Sequence, residues 1–166
     1  MQASWAELIA VIDRIPRDRM DEPNTIGDWS VKDILAHFPG YERWVGATVI
    51  AELEGREATI VELYGRADAP SPEEDADDDL SNAWLINHAR TQSLDWVLDE
   101  LAYGHRRLVE AVEACTDADL EDPNRFRSME GRSFAAVLPN QCWEHHRRHL
   151  AEIEAWITAS LPRGAA

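Results

Sequence analysis

The sequence predicts an all-α protein, a four-helix bundle. Apolar residues recur at three- and four-residue steps through four long segments. Serines of the helix-capping type stand before two of these segments, and glycine or proline follows three of them. No segment alternates with the two-residue period of a strand, and no Asn-Gly hairpin turn interrupts the pattern. With 166 residues, 45% of them hydrophobic, the chain is expected to form one domain (1–166) around a real core.

The first helix rests on Trp5, Leu8, Ile9, Ile12 and Ile15, and Pro16 ends it. A connection follows to about Trp29. Ser30 is then the expected N-cap, with Asp33 completing a capping box. The second helix should run to about Glu54 and stop at Gly55. Pro39 lies inside it, removes one backbone hydrogen bond and predicts a kink near the helix start. Ile60 to Tyr64 suit a short helix. The stretch from Asp68 to Asp79 carries seven acids, two prolines and no base, so an acidic solvated loop is expected at about 66–79. The third helix spans roughly Leu80 to Cys115, with a break near Thr91 and a restart at Ser93. Ser133 caps a fourth helix, expected to run unbroken to about Ser160.

The formal charge of −16 argues against nucleic acid and anionic membrane as partners, and no apolar run is long enough to span a bilayer. The opening MQASWAELIAVIDRIP places Glu7 and Asp13 where a signal peptide would be basic and then apolar. Cys115 and Cys142 make no disulfide framework. A cytoplasmic location is the expectation.

The chemistry lies in the histidines. On the fourth helix, His145 and His149 are four residues apart and share a sector with Leu138, Cys142, Ile153 and Trp156, so both are expected to face inward. On the second helix, His37 shares its face with Ile34, Tyr41, Trp44, Val45 and Thr48. An HxxxH pair with a third histidine from another helix holds one divalent ion and leaves positions open for water or substrate. Neutral imidazoles suit zinc, nickel or iron. The alternative is three buried histidines satisfied by ordinary hydrogen bonds. His146 sits at the stripe's edge, and His88 and His105 read as ordinary helix residues, although Asn87 or His88 is also placed to line a pocket. Tyr41, Glu144, Glu152 and Asn140 are candidate acids, bases or orienting groups. Cys142 is a candidate ligand or nucleophile, with a small buried core residue as the plainer reading.

At these residues the chain resembles the DinB/YfiT-like superfamily. The run Trp29-Ser30-Val31-Lys32-Asp33-Ile34-Leu35-Ala36-His37 is similar to that superfamily's entry into its second helix, and His145-His146-Arg147-Arg148-His149-Leu150-Ala151-Glu152-Ile153 to its fourth-helix motif. Asn82-Ala83-Trp84, the Leu120 to Pro123 connection and Ile153 with Trp156 resemble its ClbS/DfsB branch. The resemblance implies an up-down-down-up bundle, a homodimer, and a metal on His37, His145 and His149. It also implies a small-molecule substrate: a metal-dependent hydrolase, or a transferase using a low-molecular-weight thiol such as mycothiol, bacillithiol or glutathione, in detoxification or stress response. The ClbS/DfsB likeness implies an alternative, a metal-free binding or self-resistance protein acting on a reactive natural product. Pro39 departs from the pattern. A kink there would carry His37 away from the other pair.

Overall fold

The computed structural model describes residues 1–70 and 79–160, and these are helical with no strand among them. The expected acidic loop falls mostly on 71–78, outside the described residues. In chain order the helices are α1 (Gln2–Ile12), α2 (Val31–Leu53), α3 (Ile60–Tyr64), α4 (Asp79–Arg90), α5 (Leu94–Ala114), α6 (Asp117–Glu121), α7 (Phe134–Gln141) and α8 (Trp143–Ser160). The first and second predicted segments are α1 and α2. The third is α4 with α5, and the fourth is α7 with α8.

Local chemistry places the ends. Ser30 and Asp33 form a reciprocal capping box, each side chain accepting from the other's backbone N–H at 3.0 Å. Asp33 also accepts two hydrogen bonds from the Arg90 guanidinium, at 3.1 and 2.9 Å, which ties the start of α2 to the end of α4. Burial raises the Asp33 pKa, but the hydrogen bonds from Arg90 and Ser30 outweigh it and hold the carboxyl below its ordinary value. Gly55 follows α2 at φ +74°, a left-handed stop that costs glycine nothing. Ser93 accepts from the Trp96 N–H and restarts the chain as α5 after the break at Thr91 and Gln92.

Pro39 leaves α2 a single element of 23 residues. Its ring is accommodated by Gly104 of α5, where an added Cβ would stand 2.8 Å from both Cα and Cβ of Pro39. Further along, a Cβ on Gly46 would stand 2.9 Å from the Arg107 carbonyl oxygen. Two side-chain-free positions therefore let α2 and α5 approach closely, and the contacts advance in the same direction along both helices.

The fourth segment departs from expectation. It breaks at Cys142, whose backbone (φ −130°, ψ −95°) is not helical. Pro139 has no N–H to give the Ala135 carbonyl, which weakens the turn before the break. The Cys142 side chain is drawn to the buried carboxylate of Glu42, to which its thiol donates at 3.1 Å.

Two apolar clusters make the core. One gathers Leu8, Ile34, Leu35, Val97, Leu101, Leu150 and Ile153; the other gathers Val45, Val49, Leu108, Ala111, Phe126 and Phe134. On α2, α5 and α8 alike, buried polar residues (Glu42, His105, His145 and His146) occupy the turns between the clusters. Polar groups buried at that depth need partners, so the site is to be sought there.

Candidate metal centre

His37 projects from the second turn of α2, while His145 and His149 project from successive turns of α8. The first two are buried, and the His149 side chain is 21% exposed. Their ring centroids lie 4.8 Å apart for His37 and His145, 4.8 Å for His37 and His149, and 5.2 Å for His145 and His149. One ring nitrogen from each falls within 4.8 Å of the other two. The kink expected at Pro39 does not separate them: His37 Nε2 is 2.9 Å from His145 Nε2.

The tautomers follow from the hydrogen bonds. His37 Nδ1 donates to the Ile34 carbonyl at 2.7 Å, which leaves Nε2 of the neutral ring as a bare lone pair. His149 Nδ1 lies 2.8 Å from Glu152 Oε2 and donates to that carboxylate, so its Nε2 is likewise free to coordinate. Burial, and then the neighbouring imidazoles, lowers His37 to about 3 and His145 to about 2. With its proton on Nδ1, His37 turns a bare Nε2 towards His145, whose Nε2–H is the group left to donate the 2.9 Å hydrogen bond, and an ion would take that proton's place.

The arrangement fits a divalent ion. Metal–nitrogen bonds of about 2.0–2.1 Å put tetrahedral ligand atoms roughly 3.3 Å apart. The contact between His37 and His145 is slightly shorter than this and needs only a small outward shift. Three imidazoles would be one ligand short of a tetrahedral set, and His149 is the partly exposed member.

Aromatic rings enclose the rest. Trp29 lies 5.2 Å from His37 and 6.4 Å from His149, and Phe38 lies 5.2 Å from His145. The Tyr41 ring stands edge-on to His145 at 4.7 Å, and its hydroxyl accepts from Asn82 at 3.1 Å. Tyr41 also lines a cavity of about 200 Å³ with Trp44, Asn82, Arg132 and Gln141. Of the candidate acid, base and orienting groups, Tyr41 and Glu152 stand at the centre. Asn140 instead accepts from Arg148, and Glu144 is exposed. His88 lines a separate groove of about 280 Å³, stacked on Trp84 at 5.8 Å.

A second group lies deeper. Glu42, His105 and Cys142 are all buried and bring one ligand-type atom each within 4.8 Å of the others. The sequence pattern makes His105 an ordinary helix residue and gives Glu42 no role. Both stand on apolar stripes, Glu42 in register with Phe38, Val45 and Val49, and His105 between Leu101 and Leu108. A charged residue on such a stripe was the available signal.

Among the described residues, no helix is long and apolar enough to cross a membrane. Comparison with curated proteins and with solved structures yields no match. The family model of the mycothiol maleylpyruvate isomerase N-terminal domain matches residues 1–147, a span that holds His37 and His145 and ends just before His149. The match takes in most of the chain and accords with its all-helical fold. The chain therefore belongs to the mycothiol maleylpyruvate isomerase N-terminal domain family, within the DinB/YfiT-like superfamily.

Proposed function

We propose that this protein is a metal-dependent enzyme in which a low-molecular-weight thiol reacts with, or isomerises, a small electrophilic substrate. The observation that carries the reading is the convergence of three imidazoles, one of them partly exposed, with Tyr41 of the neighbouring cavity set against His145. The family's name, which joins mycothiol to an isomerase, supports a thiol as co-substrate.

His37, His145 and His149 would hold the ion. When bound, a divalent ion there supplies Lewis acidity, favouring the thiolate form of an incoming thiol at neutral pH. The protein's own residues do the rest. The Ile34 carbonyl and the Glu152 carboxylate set the orientation of two ligand rings. Trp29 and Phe38 keep water from the buried side, and Tyr41, held by Asn82, faces both the centre and the cavity and is placed to pass a proton to substrate. Arg132, which lines the same cavity, offers a cation to a carboxylate or other anionic group.

Disappearance of electrophilic substrates in the presence of a low-molecular-weight thiol, measured before and after chelation and on readdition of zinc, nickel or iron, tests this reading. Turnover that requires the metal supports it, and turnover indifferent to chelator contradicts it. The groove of Trp84, His88 and Trp96 favours a second reading, a metal-free ClbS/DfsB-like protein that binds or consumes a reactive natural product. Under that reading tryptophan fluorescence responds to electrophiles equally in chelated protein.

A further inference from the structure

We propose that Glu42, His105 and Cys142 form a second, fully buried metal site that takes a thiophilic divalent ion of the zinc class. The proposal does not rest on the reading of the His37 centre, whose ligands are different side chains.

The three donors come from α2, α5 and the break between α7 and α8. Both the Cys142 thiol, at 3.1 Å, and His105 Nδ1, at 3.3 Å, approach Glu42 Oε1. These separations are close to the roughly 3.3–3.7 Å expected between ligand atoms around a tetrahedral ion with bonds of about 2.0–2.3 Å. The site is dry: Glu42 and Cys142 have no exposed surface and His105 is 6% exposed. Trp5 covers His105 in a parallel stack at 4.1 Å, and Phe38 covers His146 at 4.8 Å.

A hydrogen-bond network alone leaves this cluster unbalanced. His105, His146 and Cys142 all crowd one oxygen of Glu42, while the other oxygen, Oε2, is buried with no hydrogen-bond partner. His146 is 1% exposed; its Nε2 lies 3.3 Å from Glu42 Oε1, while its Nδ1 is buried with no hydrogen-bond partner. Orphaned polar atoms at this depth are costly, and each that gains a partner removes that penalty. An ion supplies that partner. One carboxylate, one thiolate and one neutral imidazole carry two negative charges, which a divalent cation neutralises within an apolar core. His146 lies outside this mutual grouping and approaches only the Glu42 carboxylate, so Glu42, His105 and Cys142 are the three protein ligands. Three buried protein ligands and no open side suit a structural rather than a catalytic ion. Loading forms a metal–sulfur bond and breaks the Cys142 S–H bond, with the proton released to solvent. No redox change is involved. Because the site has no opening, the ion enters as the chain folds.

The test is refolding of the full chain from denaturant with cobalt(II), followed by absorption and elemental analysis. A thiolate-to-cobalt charge-transfer band is expected in the wild type, in Cys115→Ser and in His145→Ala. The band should vanish in Cys142→Ser, with one ion fewer per chain. Cys115, the one other cysteine, is the control for a thiolate elsewhere. Glu42→Gln, checked for helicity by circular dichroism, serves if Cys142→Ser fails to fold, and it too should lose the ion. The wild-type spectrum decides independently of either variant. Absence of the band, or its loss in Cys115→Ser rather than Cys142→Ser, overturns the proposal.

Discussion

At the residue scale, the histidine centre depends on which nitrogen of each ring is left free. Glu152 is exposed enough to be replaced without disturbing the core, yet it orients His149 through Nδ1. Glu152→Ala is expected to weaken metal binding about 10- to 100-fold while the thermal midpoint of chelated protein stays unchanged, as titration with a chromophoric chelator and parallel melting curves will show. Tyr41→Phe should keep its metal and lower kcat by about 10²-fold, a separation of binding from turnover that elemental analysis and kinetics together read. Acid sensitivity also belongs here. The unfolded chain protonates His37 and His145 near pH 6.5, whereas burial keeps them neutral in the fold down to about 3 and about 2. Between those limits the unfolded state binds more protons. The stability of metal-free protein should therefore be full above pH 6.5 and fall as pH drops, by up to about 1.4 kcal/mol per unit for each ring. His37→Gln should flatten that decline in urea unfolding followed between pH 7 and 5. At this scale the sequence exposed His145 and His149 through their four-residue spacing, and His37 through its place on the apolar face of the second helix and its motif resemblance. It hid Glu42 and His105, because each stands on its helix without a second ligand-type residue at helical spacing to mark it.

At the scale of elements, the pairing of α2 with α5 sets His37 opposite α8. Gly104→Ala would drive a methyl into Pro39 and should cost about 1–3 kcal/mol in chemical denaturation, an unusually large effect for an alanine on a helix. Ser30→Ala removes one half of the capping box and is expected to cost about 1 kcal/mol. Helix starts were legible because Ser30, Ser93 and Ser133 act on their own N–H groups, within three residues. The unbroken fourth helix was a misreading of a different kind. Pro139 was visible, but the pull of Glu42 on Cys142 arises only once α2 and α7 are packed together. Pro39 shows the converse: a local disruption expected to displace His37 is absorbed by a glycine 65 residues away in the sequence, on another helix.

At the scale of the whole molecule, two apolar clusters are separated by a layer of titratable side chains contributed by three helices. An apolar core throughout would be simpler to stabilise, so the layer marks where function is carried at the expense of packing. The bundle as a class was readable from periodicity and the lack of strand signals. The layer's internal arrangement was not, since it depends on how far three helices rotate as they pack. The account rests on His37, His145 and His149 sharing one ion across α2 and α8. Elemental analysis of untagged protein, wild type against His145→Ala, tests this most directly. The predicted result is stoichiometric divalent metal in the wild type and one equivalent less in the variant, with helicity retained. Equal metal content in the two proteins, or none in the wild type, would contradict it.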